Sequence, residues 1–227
     1  MLLTLRKGAR LKVEDPIQHS SASQTSVYCL IKRCLDIMMA IILLMILLPL
    51  MIGIVIVIRL SSGKPVIFKQ TRIGKGKTPF VLYKFRTMVV GAQNMGKGVQ
   101  TVENDSRITP IGRFLRVTSL DELPQLSNIL LGSMSFVGPR PVLPDHPKKL
   151  VDYSTEESLR FSVKPGLTGW AQIHGRGSIS WDEKLKYDAE YAKNMSFVLD
   201  TKIAWRTVLT VLSRSDVYLG DDKTNGN

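Results

Sequence analysis

The longest apolar run in the chain, Ile37 to Ile58, holds 22 residues without a charge. As a helix it is long enough to cross the hydrocarbon core of a bilayer. Pro49 falls near its middle, where a missing N–H and a bulky ring kink a helix, and Gly53 follows one turn on. Both flanks are basic, with Lys32 and Arg33 before the run and Arg59 and Lys64 after it, so loop charge assigns no direction. No second run of this length returns the chain. Two topologies fit: a single crossing, or a helix–break–helix that enters and leaves through the same leaflet. Each half of the latter, about 11–12 residues or roughly 17 Å, is about one leaflet deep. Hydrophobic pattern alone leaves the two open.

Shorter periodicities take over beyond this run. Val66 to Ile73 and Phe80 to Met88, separated by Gly74-Lys-Gly-Lys77, predict a β-hairpin with a basic turn. Gly74 to Thr78 lacks Walker spacing and is read as that turn rather than a phosphate loop. Alternation along the second strand puts Lys84 and Arg86 on one face, with Tyr83 and Phe85 on the other. Gly91 to Ser106 has no periodicity and predicts a loop. Thr109-Pro110 opens a short helix running to Arg116. A polar surface helix is expected from about Ser154 to Ser162. Val163 to Arg176, dense in glycine, reads as the kind of loop that carries function. Trp181 to Tyr191 places opposite charges at helical spacing and predicts a solvated helix. Phe197 to Leu212 predicts an amphipathic helix bearing Lys202, Trp205 and Arg206, which lies on a membrane surface or on the domain core. With no βαβ alternation, the expected class is α+β, mostly helical, with a small hairpin. The implied division is a basic arm over 1–27, the apolar segment over 28–60, a main domain over 61–212 and a polar tail over 213–227.

The richest chemistry lies in Ser119-Leu-Asp-Glu-Leu-Pro-Gln-Leu126, running on to Gly132. Leu120, Leu123, Leu126, Ile129 and Leu130 recur at helical spacing, Gly132 sits where a helix ends, and Ser119 with Glu122 has the form of a capping box. Asp121 and Glu122 then have two readings. As first-turn acids they answer the helix dipole. As a carboxylate pair at a site that also favours phosphate, they can hold a divalent metal or attack phosphorus. Arg116 and Arg140 bracket the segment, and guanidinium forks suit phosphate oxygens. Lys84, Arg86, Lys164 and Arg176 are further phosphate-binding candidates, a solvated face being the plainer alternative. Asp36, at the membrane boundary beside Lys32 and Arg33, reads as an interfacial ion pair or as a partner for Arg116. The lone His174 is read as structural.

Net charge is +12 and the isoelectric point is about 9.8, so a polyanionic partner is implied: nucleic acid, an anionic membrane face or phosphorylated substrates. Cys29 and Cys34 make no disulfide framework, which fits a reducing compartment. Leu2 to Leu5 is too short for a signal-peptide core. A membrane-tethered nucleic-acid-binding or scaffolding protein is the rival from another class. It predicts basic residues clustered on a helix or interleaved with aromatics, whereas here they scatter among Gly/Pro loops around an acid pair.

Several ungapped stretches resemble one known family, the bacterial sugar transferases that load polyprenyl phosphate, also called monotopic phosphoglycosyl transferases. They are Lys32-Arg33-x-x-Asp36 before the proline-interrupted run, Tyr83-Lys-Phe-Arg-Thr-Met88, Ser119 to Leu126, Gly138-Pro-Arg-Pro141, Lys164-Pro-Gly-Leu-Thr-Gly169 and Gly175-Arg176. The likeness runs from about Lys32 to Leu212, and the chain is similar to minimal members without extra N-terminal membrane helices. It implies transfer of a sugar-1-phosphate from a UDP-sugar to polyprenyl phosphate, with Mg²⁺ and release of UMP, as the first membrane step of glycan assembly. Asp121 would be the nucleophile, forming a phosphosugar–aspartyl intermediate. Glu122 would support the metal or a proton transfer, both carboxylates being metal candidates. Lys84, Arg86, Arg140 and Arg176 would neutralise the diphosphate. The resemblance also implies a re-entrant helix broken near Pro49, location at the inner leaflet of a bacterial cell membrane with the domain on the cytoplasmic face, and no nucleic-acid partner. It leaves the sugar and any homo-oligomer open. His174 stands where relatives often have Asn, and Ser127 where many have an aromatic residue.

Overall fold

The computed structural model describes residues 22–95, 105–175 and 179–212. The N-terminal arm up to residue 21, part of the loop at 96–104, residues 176–178 and the tail from 213 lie outside them. The fold is α+β, as expected, with helices predominating over two small two-stranded sheets.

Helix α1, Ala22–Ser62, is 41 residues long and contains Pro49. It starts and ends beyond the expected 28–60 segment. Nor does the proline divide it into two elements as expected, because Pro49 removes one donor while the turns on either side keep theirs. Asp36, Ala40, Ile54 and Ile58 are buried, with Leu43, Leu44, Leu47 and Met51 half-buried between them. These positions recur every three or four residues, so one stripe of α1 faces the domain on both sides of Pro49. Met38, Ile41, Met45, Ile46, Ile52 and Ile56, on the other faces, are exposed.

Strands β1 (Ile67–Ile73) and β2 (Pro79–Phe85) form the expected antiparallel hairpin, paired from Ile67 with Phe85 to Ile73 with Pro79. Helix α2 (Pro110–Val117) is capped by Thr109, whose hydroxyl accepts from the Gly112 amide at 3.0 Å. A Cβ at Gly112 would sit 2.0 Å from the Thr87 carbonyl oxygen, so only glycine lets α2 approach the chain leaving the hairpin this closely.

Ser119 does not open a capped helix. It takes a left-handed φ of 56° with no capping bond, and Leu120–Glu122 forms a 3₁₀ turn before α3 (Gln125–Leu131) begins. Pro124 explains the difference. It has no N–H for the Leu120 carbonyl and its ring would clash there, so the chain tightens before the proline and becomes α-helical after it. At the far end Gly132, at φ 90°, donates to Asn128 and Ile129 as a C-terminal cap. Buried Asn128 docks α3 on the hairpin: its Oδ1 accepts from the Tyr83 amide at 3.0 Å and its Nδ2 donates to the Val81 carbonyl at 2.7 Å.

The glycine-dense region is more ordered than its composition predicts. Strand β3 (Ser135–Val137) pairs in parallel with β4 (Gly166–Thr168), and α5 (Trp170–His174) follows. Such three-residue strands are too short to show an alternation. Their glycines serve close packing: a Cβ on Gly138 would meet the Lys164 oxygen at 2.3 Å, and one on Gly166 the Gly138 nitrogen at 2.2 Å. The surface helix expected at Ser154–Ser162 is α4 (Thr155–Ser158) and a 3₁₀ turn, Leu159–Phe161, whose Arg160 and Phe161 are buried. Helix α6 (Trp181–Asn194) is not merely solvated, since Leu185, Asp188, Ala189 and Tyr191 are buried. Helix α7 (Phe197–Leu212) buries Asp200 and Ile203 while exposing Phe197, Val198, Trp205, Val208 and Leu209. It therefore packs on the domain by one edge, the second of the two placements its pattern allowed, and leaves an apolar face exposed.

Apolar packing joins these parts through several separate clusters, two of which involve α1. Ala40 of α1 packs with Leu82, Leu126, Ile129 and Met134, and Ile54 and Ile58 pack with Phe85 and Leu115. Asn128→Leu, similar in size but without the amide, leaves the Tyr83 N–H and the Val81 C=O without their partner at a half-buried place. It is expected to destabilise the fold by about 2–5 kcal/mol, read as a lower melting temperature in detergent or nanodiscs.

Candidate active site

The 3₁₀ turn before Pro124 carries Asp121 and Glu122 and holds them beneath the hairpin. Lys84, on β2, reaches across with its Nζ 2.7 Å from Glu122 Oε1 and 3.8 Å from Asp121 Oδ2. Arg140, on the loop after β3, places Nη2 3.1 Å from the same Glu122 oxygen. Asp121 is only 8% exposed. Arg116 on α2 is anchored by its Nε donating to Thr87 Oγ1 at 2.8 Å, and its charge also favours ionised Asp121.

The two carboxyls are pushed in opposite directions. Burial raises Asp121 above the ordinary carboxylate range, with the neighbouring Glu122 charge adding to it against the pull of Lys84 and Arg116. Burial also works to raise Glu122, but the Lys84 and Arg140 charges and their hydrogen bonds win and hold it at about 2. Glu122 is thus a fixed anion locked by two cations. Asp121 makes the looser contact with Lys84, at 3.8 Å.

Of the residues singled out from sequence, Asp121, Glu122, Lys84, Arg116 and Arg140 come together. Arg86 does not join them. It is 5% exposed and its Nη2 donates to the Ser62 and Gly63 carbonyls at 2.6 and 2.9 Å, capping the end of α1. Alternation along β2 gave no sign that the carbonyls ending α1 would take the Arg86 guanidinium. Asp36 is not paired with Arg116, Lys32 or Arg33; its Oδ1 accepts from the Phe136 amide at 3.1 Å. Lys32 pairs with Asp200 of α7, which also accepts from Tyr28 and Tyr191, and Arg33 donates to the Ile129 and Leu130 carbonyls ending α3. The boundary residues of α1 therefore bolt it to three elements of the domain. His174 is satisfied structurally: Nδ1 lies 2.8 Å from the Trp170 carbonyl and the ring stacks on Tyr187. Arg176 lies outside the described residues.

Sequence reading missed Arg72 of β1. Its Nε and Nη2 bond Gln70 Oε1, and its Nη1 donates to the Pro141 carbonyl at 3.1 Å. Burial, reinforced by nearby Arg140, lowers it to about 10. The arginine two residues on from a glutamine was the available signal.

Among the described residues no three His, Cys, Asp or Glu side chains converge as a metal cage. The acid pair still fits Mg²⁺, which binds through one or two carboxylates plus substrate phosphates and water. Asp121, with its less engaged oxygens, is the natural donor.

The comparisons with known proteins decide the family. A model of the bacterial sugar transferases matches residues 27–214. The chain belongs to the bacterial sugar transferase family. It is 45% identical to the uncharacterized sugar transferase EpsL of Bacillus subtilis over 81% of its own length and 88% of that protein. It is 44% identical to the UDP-glucose:undecaprenyl-phosphate glucose-1-phosphate transferase of Escherichia coli, over 79% of this chain but 39% of that one. The Caulobacter vibrioides enzyme of the same name is 40% identical over 82% of this chain and 72% of its own. Within the family frame, the acid pair and its cations all lie in the matched region.

Lys84→Met removes the cation closest to both carboxyls. Glu122 is then expected to titrate well above its present value of about 2, since burial is opposed mainly by Arg140. Carbon-13 NMR titration of labelled glutamate side chains measures the change.

Proposed function

We propose that this sugar transferase moves a sugar-1-phosphate from a UDP-sugar to polyprenyl phosphate in two steps through Asp121. The observation that carries this reading is the buried acid pair with Lys84, Arg140 and Arg116 converging on it. Named relatives act on UDP-glucose, on UDP-N-acetylgalactosamine and on galactose, each with undecaprenyl phosphate as acceptor. That range supports the substrate class and leaves the sugar unspecified.

In the first step an Asp121 carboxylate oxygen attacks the β-phosphorus of the UDP-sugar. An O–P bond forms to Asp121, the bond from that phosphorus to the bridging oxygen breaks, and UMP leaves with the bridging oxygen. In the second, a phosphate oxygen of the lipid attacks the same phosphorus, breaks the aspartyl bond and regenerates the carboxylate. Splitting the transfer lets each anionic partner meet the site in turn. Lys84 and Arg140 offset the repulsion between a carboxylate nucleophile and a diphosphate, most effectively where water is excluded. Glu122, ionised throughout, holds these two cations in place. Mg²⁺ bound through Asp121 and substrate phosphate would neutralise charge on the departing UMP.

The shape of α1 supports an anchor held in one leaflet. A crossing helix needs about 20 residues surrounded by lipid. In α1 the domain-facing stripe recurs throughout the apolar run, from Ala40 to Ile58, so the domain lies alongside the segment. An anchor dipping into the inner leaflet, with α7 presenting Trp205 and Leu209 to the same surface, puts the acid pair near a lipid phosphate. UDP-sugars are cytosolic, which fits the cytoplasmic face.

Purified protein in nanodiscs with Mg²⁺ and a panel of UDP-sugars, without lipid acceptor, tests the chemistry. A sugar-phosphate adduct in the intact mass, together with stoichiometric UMP, is expected and disappears in Asp121→Asn. UMP that appears only after polyprenyl phosphate is added, with no adduct, indicates direct transfer. Topology is tested by single cysteines at Ser23 and Ser178 in a background without Cys29 and Cys34. Both are expected to label from the cytoplasmic side, and labelling from opposite sides refutes the one-leaflet anchor.

A further inference from the structure

Among the described residues, the least exposed ion pair joins Arg160, in the 3₁₀ turn Leu159–Phe161, to Asp188 on α6. Nη2 and Oδ2 are 3.0 Å apart, and the side chains are only 2% and 3% exposed. Replacing such a pair by apolar residues is often neutral or stabilising, so its presence calls for a role other than stability. The pair is also incompletely satisfied: Arg160 Nη1 and Asp188 Oδ1 have no hydrogen-bond partner. Burial pushes Asp188 up to about 6 against the pull of Arg160 and Lys184. Tyr153 and Glu157 are the other ionisable groups close to this pair.

What Arg160 does with its remaining reach is informative. The same Nη2 donates to the backbone carbonyl of Arg140 at 2.5 Å. One residue on, Arg72 donates to the Pro141 carbonyl at 3.1 Å, and Ile73 N to the Val142 carbonyl at 2.9 Å. Three consecutive carbonyls of this loop are thus tied down from behind. Yet the Arg140 side chain is 52% exposed, with its Nη2 3.1 Å from Glu122 Oε1. A long exposed side chain has many rotamers, and fixing its backbone is the main way to keep its guanidinium over the acid pair.

We infer that Arg160, locked by Asp188, is a positioning residue that aims Arg140 at Glu122 and at the substrate diphosphate, extending the active site to α6. Arg160 touches no substrate. Asp188 prevents its guanidinium from turning away, and the Arg140 carbonyl passes the constraint to the loop. This rests on the transferase reading above.

The test is a double-mutant cycle on UMP release, with melting temperatures measured in parallel. Arg160→Met/Asp188→Leu removes both charges together, so that neither is left buried alone. It is expected to melt close to the wild type while losing kcat/KM by on the order of 10–100-fold. In an Arg140→Ala background the same double substitution is expected to cause no further loss, since the residue it positions is gone. If the double variant fails to fold, Arg160→Lys serves instead, as one ammonium cannot reproduce the guanidinium's fixed geometry toward both partners. Full activity in the folded variant, or losses that multiply with Arg140→Ala, would overturn the inference. Absence of UMP from the wild type with every UDP-sugar would instead count against the transferase reading itself.

Discussion

Two carboxylates buried side by side must be neutralised, and most of this fold can be understood as the way that is done. Asp121 and Glu122 are adjacent in sequence and held in one 3₁₀ turn, so neither can escape the other by rotation of the backbone. Left alone they would share a proton, and the site would lose one of its two negative charges. Lys84 and Arg140 come from the hairpin and from the loop behind β3, parts of the chain far apart in sequence. The domain must therefore fold around the acid pair before it can work, which ties stability to function at one point. The asymmetry follows: Glu122 receives both cations closely and is held at about 2, while Asp121 keeps the raised affinity for protons that burial gives it.

The same economy appears at the membrane helix. Arg86 and Arg33 cap the carbonyl ends of α1 and α3, while Lys32 joins the Asp200 cluster and Asp36 takes the Phe136 amide. Four charged residues near the ends of the apolar segment are thus all turned inward to the protein. On the proposed reading, an anchor fixed at both ends would hold the turn carrying the acid pair at a set height relative to the lipid surface. A flexible tether would leave the site to sample many heights, and only some would meet a phosphate fixed at the headgroup level.

The elements that sequence revealed are those whose physics is local. The hairpin, the Thr109-Pro110 start of α2, the Gly132 stop and the two amphipathic helices each follow from spacing within a dozen residues. What it concealed depends on distant partners. The parallel pairing of β3 with β4 joins segments thirty residues apart by close approach of Gly138 and Gly166, which composition shows only as turn-forming glycines. Asn128 reads as an ordinary polar residue of a helix until the hairpin edge it satisfies is seen. Arg86 reads as a phosphate candidate because nothing local shows the α1 carbonyls that take its guanidinium. The cations at Lys84 and Arg140 were legible because they lie in short distinctive motifs, but which carboxylate they would favour was not. That is settled by distances of a few ångströms between elements.

The arginines show how far the influence of such a site extends. Arg140 faces the acid pair, Arg72 and Arg160 hold the loop behind it, and Asp188 holds Arg160. Each step inward trades exposure for constraint, from a half-exposed guanidinium to a pair almost free of water. A cation that must meet a negatively charged substrate has to remain accessible, so it cannot be fixed by packing its own side chain. Its backbone can be fixed, and that requires buried donors aimed at carbonyls. On the inferred positioning, substitutions at Asp188 of α6, remote from the carboxylates, would act on catalysis through Arg140 rather than through the core. Variation there offers a way to tune diphosphate binding without altering the acid pair.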